Sequence, residues 1–489
     1  MTSRVPALPL ALLLAAAPAT AAPRIQPELP PENARYSQGS AVVSDTTPDA
    51  WWESFGDPAL DALVTEAVEQ NLDIAQAQDR VRQARAVTVQ NLAPLLPTAS
   101  FDVGINASPT SLQAFQIPPN LADIFGGGSG GSTGDDDDSP DLIWNGNALF
   151  NFGWNIDLGA SALRLRAATL DTAAALGDRD GAARQIVAQV ASSWMDVRTA
   201  RARVAVIQQQ VSTNQDLLEI TRRRFESGQA AGLDVLQQQQ QLANAQALLP
   251  QAEQLLRLQE QRLAVLLARD PTQITGALDP IDSLPPLPPQ PGLSTPRELL
   301  ENRPDLVALQ ARFLAARSRK DATILGFLPT FRLSANVGWT YRWFDEWSSA
   351  ETYGLGASMS VPLFGGGQRW GAVQQAKASQ DAAAHALSAG VLAATSEVEG
   401  ALAVEETAAE RLERLDSQLK AARLAYEESA RQYAQGLVTY LVVLTNLGSL
   451  QALELNHLQA QRELLGARID LHTALGASWA DRLSEGESR

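Results

Sequence analysis

The chain of 489 residues has no cysteine, which excludes disulfides, thiolate metal sites, a cysteine nucleophile and lipidation on a cysteine. Histidine is nearly as scarce. His385, His457 and His472 each lie in a helix-forming run without metal-ligand spacing or a nucleophile motif, and read as solvated helix residues. No glycine-rich phosphate cradle follows a strand, and Phe364-Gly365-Gly366-Gly367 reads as the exit from a strand into a helix. No catalytic group, cofactor or metal is indicated, so the chain is expected not to be an enzyme. Positive charge is also in short supply: 38 basic against 55 acidic residues give a net charge of −17, which argues against nucleic acid as a partner. The chain beyond its N-terminal leader has no run of roughly 18 uncharged apolar residues, so any membrane span is expected to be β.

What is present begins with an address. Arg4, the apolar run Leu8 to Ala17 and Ala19-Thr20-Ala21 have the order of a secretory signal peptide, assigned to residues 1–22 and followed by an extended segment over 23–58. Beyond it the chain repeats itself. Asn71-Leu72-Asp73-Ile74 leading to Leu96-Pro97-Thr98 recurs as Arg303-Pro304-Asp305-Leu306 leading to Leu328-Pro329-Thr330. Arg224-Phe225-Glu226-Ser227-Gly228 before Leu233-Asp234-Val235-Leu236 is echoed by Gln432-Tyr433-Ala434-Gln435-Gly436 before Leu441-Val442-Val443-Leu444. The expected domains are a first repeat over 59–269, a proline-rich connector over 270–295, a second repeat over 296–479 and a polar tail over 480–489.

Each repeat reads as helix, strand, loop, strand, very long helix, tight turn, long helix. Asp57-Pro58 and Thr295-Pro296-Arg297-Glu298 are helix-start signals, and both opening helices are expected to run to the Leu-Pro-Thr stop. No proline occurs between Leu158 and Pro250 or after Pro362, and helix formers dominate both stretches. A helix from Leu163 to Ser227 would be about 100 Å long. Apolar spacing at Ile186, Val190 and Trp194, and at Leu412, Leu415, Leu419 and Leu424, leaves a wide polar face. These helices alone fit a solvent-exposed coiled coil as well as a tunnel wall.

The strands are more specific. Phe101, Val103, Ile105; Ala148, Phe150, Phe152, Trp154, Ile156; Phe331, Leu333, Ala335, Val337, Trp339, Tyr341; and Tyr353, Leu355, Ala357, Met359, Val361 alternate with polar residues. This predicts strands near 99–107, 143–157, 331–341 and 353–361, in the pattern of lipid-facing β-strands, although a half-buried soluble sheet alternates too. Four strands cannot close a barrel, and open edges do not survive in hydrocarbon. Three copies would supply twelve, which predicts a homotrimer. The loop over 126–141 carries a Gly/Ser run and Asp135 to Asp138 without calcium-loop spacing, and reads as a solvated loop. The loop from Arg342 to Thr352 holds Trp343 and Trp347, which join Trp154, Trp339 and Tyr341 as expected membrane-interface aromatics.

Trp51-Trp52-Glu53-Ser54-Phe55-Gly56-Asp57-Pro58, Asn71-Leu72-Asp73-Ile74, Ala84-Arg85-Ala86, Arg303-Pro304-Asp305-Leu306, Tyr433-Ala434-Gln435-Gly436-Leu437-Val438 and Ala474-Leu475-Gly476-Ala477-Ser478-Trp479 together resemble outer-membrane factors of the TolC and OprM type. The likeness covers nearly the whole chain beyond the leader. It implies a mostly α fold with a membrane β-barrel: a trimeric twelve-stranded barrel plus an α-helical periplasmic tunnel, each of two tandem repeats giving two strands and a helical hairpin. It implies an outer-membrane duct for small molecules expelled by an inner-membrane transporter through a periplasmic adaptor. By the same likeness the closing tips are 228–233 and 436–441, with Gly228, Leu233, Asp234, Gly436 and Leu441 as gate residues.

Two departures qualify the resemblance. Relatives commonly carry Asp and Arg just past the second tip, whereas Leu444-Thr445-Asn446-Leu447-Gly448 has neither, so a gate closed mainly by apolar packing is expected. Many relatives are also lipidated on a cysteine, so here the barrel alone is expected to hold the protein in the membrane. The alternative from the residues themselves is a periplasmic coiled-coil adaptor or structural protein with a soluble sheet and no pore.

Overall fold

In the computed structural model the described residues are 27, 36, 50–109, 142–273, 283–293, 295–343 and 347–476. The signal peptide, the 126–141 loop and the polar tail lie outside them. Trp51–Phe55 forms a 3-10 turn that buries Trp51, Trp52 and Phe55, so the segment expected to be extended ends in a helical turn. Helix α1 (Pro58–Gln70) starts where the sequence predicts, with Asp57 Oδ1 accepting from the amides of Ala59 (3.1 Å) and Leu60 (3.4 Å).

That helix does not run unbroken to the Leu-Pro-Thr stop. It ends at Asn71, whose ψ of 131° leaves the helical region, and α2 (Leu72–Leu92) starts afresh. Asn71 causes the restart: its Oδ1 accepts from the amides of Asp73 (2.9 Å) and Ile74 (3.2 Å), and its Nδ2 donates to Leu266 O at 2.8 Å. In the second repeat α5 (Leu299–Asn302) and α6 (Pro304–Leu325) break at Arg303, ahead of a proline that fits a first helical turn and no interior. The recurring motif therefore marks a helix break. The Thr295 capping box forms as expected: Thr295 N donates to Glu298 Oε2 (2.7 Å) and Glu298 N to Thr295 Oγ1 (3.3 Å).

The long hairpins are α3 (Ala160–Glu226) with α4 (Gly232–Leu266), and α7 (Gln368–Ala434) with α8 (Tyr440–Leu475). At 67 residues, α3 and α7 are each about 100 Å long. Ile186, Val190 and Trp194 are buried, while Leu412, Leu415 and Leu419 are half-buried and Leu424 falls off that stripe into solvent. One window in α7 reaches a mean hydropathy of 1.3 with few charges, enough by composition for a membrane span. Its residues Ala384, Leu387, Val391, Ala394 and Val398 are buried at helical spacing, four of them in a core with Leu306 and Leu471, so one stripe of the window is spent on packing.

The chain forms two compact units, one of 1–77, 177–313 and 381–489 and one of 78–176 and 314–380. The first is organised around Trp194, fully buried with Trp51, Leu60, Val187, Val190 and Leu263. Polar ties cross this core. Trp194 Nε1 donates to Asp57 Oδ2 at 2.7 Å, Arg198 binds the same carboxylate and the carbonyl of Ser283, and Arg468 bridges Glu405 and the Pro288 carbonyl. The connector residues 283–293 have neither helix nor strand, and these arginines fasten them to the helices. His472 is corrected here: it is 2% exposed and stacked on Trp51 at 5.2 Å, so it is a core residue and not a solvated one. Its spacing from Leu471 and Leu475, both fully buried, puts it on the inner side of α8.

In the second unit, Thr88 Oγ1 contacts Thr172 Oγ1 at 3.0 Å and Arg319 pairs with Asp171, while Ala167, Ala168, Ala315 and Ala322 keep the interiors small. Its sheet holds β1 (Thr98–Pro109), β2 (Leu142–Asp157), β3 (Thr330–Trp343) and β4 (Trp347–Ser360) in sequence order, all antiparallel. The β2–β3 pairing joins the two repeats in one sheet. Strand β4 starts at Trp347 and not near 353, which corrects the loop expected over 342–352. Trp343 and Trp347 are strand residues facing each other across the ladder.

Candidate functional site: helix tips and membrane face

The two helix reversals are built alike. α3 ends through Gly228, whose φ of +74° is left-handed, with Gly228 N donating to Phe225 O (2.9 Å) and Gln229 N to Arg224 O (2.7 Å). α7 ends through Gly436 at φ +75°, with Gly436 N donating to Tyr433 O (3.0 Å) and Leu437 N to Gln432 O (2.9 Å). A Cβ at either glycine would meet nothing within 4 Å, so backbone conformation and not space calls for glycine here.

The next helices begin differently. Asp234 Oδ2 accepts from Ala231 N at 3.3 Å, placing a carboxylate in the first turn of α4, where it favours the helix dipole. The equivalent residue of α8 is Val442, and no side chain caps that helix. Asp234 is thus a capping residue. Leu233 and Leu441 occupy matching positions and are 62% and 59% exposed, beside the exposed side chains of Leu236, Leu437 and Val442. Leu447, in the run that lacks the charge pair, is buried.

Behind the exposed leucines lies a small core of Leu217, Tyr433, Tyr440, Val443 and Leu447. The Tyr433 and Tyr440 rings meet edge-on at 5.5 Å, and the Arg224 guanidinium sits 4.5 Å over Tyr433 while Nη1 donates to Ala434 O at 3.1 Å. Tyr440 donates to Gln238 Oε1, and Gln238 Nε2 donates to Asn214 O at 2.8 Å. Burial pushes both tyrosine hydroxyls above their ordinary pKa, and nearby Asp234 adds to it. Both tyrosines therefore stay neutral, and the Tyr440 hydroxyl is the one that donates. Sequence reading named the glycines and leucines but missed Tyr440, Gln238 and Asn214, whose partners lie 24 and 202 residues apart.

The sheet is the other candidate surface. Cross-strand neighbours share a face, and the rows Phe101–Phe150–Val337–Tyr353, Phe152–Ala335–Leu355, Trp154–Leu333–Ala357 and Ile156–Phe331–Met359 are apolar throughout. The intervening rows, such as Ser100–Asn151–Asn336–Gly354 and Asn106–Asn145–Arg342–Ser348, are polar. Both faces are open, and Leu355 on the apolar one is 92% exposed. On the polar face Asp102 accepts from Ser100 Oγ (2.8 Å) and Asn151 Nδ2 (2.6 Å).

Of the five expected interface aromatics, Trp343 and Trp347 form the row at the strand ends, and Tyr341 packs on Trp347 at 5.6 Å. Trp339 sits further in, beside Ala148 and Glu351. Trp154 sits at the other end, its indole donating to Leu95 O at 3.1 Å. Trp144, which completes the Trp343–Trp347 row, was missed because Gly146 interrupts the apolar alternation leading to it. From Trp144 to Trp154 the strand advances about 34 Å, or about 25 Å along the axis of a barrel with strands tilted by roughly 40°. That matches the height of a lipid-facing band between two aromatic girdles.

The model of a family described as outer membrane efflux protein matches residues 63–269 and 295–477. Among characterised relatives, the pyoverdine export outer membrane protein OpmQ of Pseudomonas putida is 28% identical over 474 residues, spanning 96% of this chain and 97% of its own. Among solved structures, the outer-membrane channel OprN superposes with a TM-score of 0.79 at 24% identity, covering 94% of this chain and all of that one. The open state of the Neisseria gonorrhoeae MtrE outer membrane channel gives 0.75 at 22% identity, covering 93% and 97%. The fold is that of TolC-like outer-membrane channels.

Proposed function

Since this chain belongs to the outer membrane efflux protein family, we propose that it is the exit duct of a tripartite system, a homotrimer that passively conducts small molecules delivered by an inner-membrane transporter through a periplasmic adaptor. The observation that carries this reading is the sheet: one face with four successive apolar rows from Phe101–Phe150–Val337–Tyr353 to Ile156–Phe331–Met359, the other largely polar, and β1 and β4 as edges without a partner strand among the described residues. In hydrocarbon each orphaned edge amide costs several kcal/mol, so the edges must pair. Three copies joined β4 to β1 give a closed twelve-stranded barrel with a polar lumen.

In this reading the reversals at Gly228 and Gly436 close the inner end. Leu233, Leu441 and their exposed neighbours meet their symmetry mates, and the seal is apolar because the run after the second tip has no charge pair. Asp234 contributes a helix cap and not a lock. The wall is wet and generic, so cargo is selected upstream. Membrane extraction tests the reading against a soluble adaptor: the protein is expected to resist salt and carbonate and to leave the membrane only in detergent, as a trimer. Release by carbonate as a monomer would overturn it.

A further inference from the structure

The apolar face of the sheet is not uniformly rough. Over β2 the side chains shrink to Gly146 and Ala148, while the neighbours in the same rows are large: Ile105 and Val103 on β1, Tyr341 and Trp339 on β3. The result is a gutter along β2 with a wall on each side, closed at the strand ends by the Trp144–Trp343–Trp347 row. It encloses about 620 Å³. One wall is on β3, inside the edge pairing proposed above, and the other is on the apolar, outward side of the edge strand β1, whose pairing with β4 engages the backbone and not these side chains, so barrel closure leaves the gutter open to its surroundings.

We propose that this gutter is a binding site for one acyl chain of a membrane lipid, held lengthwise over Gly146 and Ala148. The inference rests on the barrel reading, which puts this face in hydrocarbon. Apart from Asn147, whose side chain belongs to the opposite face, and the glycines, its lining is aliphatic and aromatic, so the occupant is a hydrocarbon chain and not a polar molecule. A chain lying there exchanges the loose contacts of bulk lipid for contact with two walls and a floor, a gain of dispersion available only where the surface is concave. The closed end sits at the aromatic girdle, at headgroup depth, where the indoles of the tryptophan row stand close to the ester region of a lipid whose chain enters the gutter. A second copy of this protein is not the occupant, because its strands pair at the edges and not over β2.

Gly146 offers a clean test. A Cβ there would lie 3.5 Å from Tyr341 Cβ, an ordinary contact, so Gly146→Leu fills the gutter without straining the strand. Ala357→Leu adds nearly as much bulk, one carbon fewer, on the same face beside Leu333 and outside the gutter, and serves as control. The full-length protein, extracted in mild detergent and incubated with dipalmitoyl phosphatidylethanolamine, is weighed by native mass spectrometry. The parent and Ala357→Leu trimers are expected to retain one lipid per protomer. Gly146→Leu is expected to weaken retention about ten-fold, as when roughly two methylene groups lose their contacts. A trimer that retains no lipid, or a Gly146→Leu trimer that retains as much as the control, overturns the inference alone. Failure of the parent to form a trimer overturns the barrel reading and this inference with it, and should Gly146→Leu alone fail to assemble, Gly146→Val is read in its place by the same criterion.

Discussion

The region around Trp194 and the four-stranded sheet are both rich in large apolar side chains, and they treat them in opposite ways. Trp194, Leu60, Val190 and Leu263 are fully buried by other parts of the same chain, and the polar groups among them are tied in pairs such as Asp57–Arg198 and Glu260–Arg201. In the sheet, Tyr353, Leu355 and Met359 are exposed, and the polar rows opposite are open as well. The first region is finished by its own sequence. In the proposed barrel the second is completed by something the chain does not contain, lipid on one face and neighbouring copies at the edges.

Substitutions break or sharpen that contrast. The largest effect is expected for Trp194→Ala, which removes a fully buried indole and leaves Asp57 short of a donor, at a cost of about 3–5 kcal/mol in chemical unfolding of the helical region. Leu355→Ala, in the sheet, is expected to leave the same unfolding midpoint nearly unchanged. Equal losses for the two would erase the distinction.

Next comes His472. Burial, with Arg468 adding to it, pushes its pKa down to about 4, and neither ring nitrogen has a partner among the described residues. A histidine that folds neutral binds fewer protons than it does unfolded, where its pKa is about 6.5. Its contribution is therefore fully present above about pH 6.5 and lost progressively as pH falls toward 4, by roughly 3 kcal/mol. Unfolding of the parent and of His472→Leu across pH 7 to 4 checks this. The variant should lose that part of the slope.

A smaller cost, about 1–2 kcal/mol, is expected for Gly436→Ala, because a methyl group there meets no neighbour but must sit at φ +75°. Gly400→Ala, in the middle of α7 and equally uncrowded, should instead stabilise by about 0.5–1 kcal/mol. Thermal unfolding separates the two signs. The smallest free-energy change falls at the tips: Leu441→Ala should raise resting conductance in a planar bilayer, and Asp234→Asn should change it little. The reverse ranking would mean that the gate is ionic after all.

How much of this was legible in the sequence follows from the same contrast. The strands were readable because both faces stay open: with no core to blur it, the alternation of Phe331, Leu333, Ala335 and Val337 survives intact. The start of β4 was not, because the serines after Trp347 hide it, and Gly146 kept Trp144, inside the expected strand, from being counted among the interface aromatics. The tip glycines were readable because a left-handed turn leaves a chemical mark. The helix breaks at Asn71 and Arg303 were quoted as a repeated motif without their structural meaning, since a one-residue break with helix on both sides leaves little compositional trace. The ties of the helical core were invisible for a different reason. Asp57 and Trp194 are 137 residues apart, and no local pattern announces a hydrogen bond across that distance. His472 was misplaced on the same ground, since nothing in α8 by itself says that Trp51 will cover it.

The central claim is that this chain supplies one third of a closed barrel. Electron microscopy of the detergent-extracted protein tests it most directly. The account predicts a three-fold particle in which four strands from each copy pair edge to edge into a twelve-stranded cylinder. A monomeric or dimeric particle with the β1 and β4 edges unpaired, stable without detergent, would contradict it.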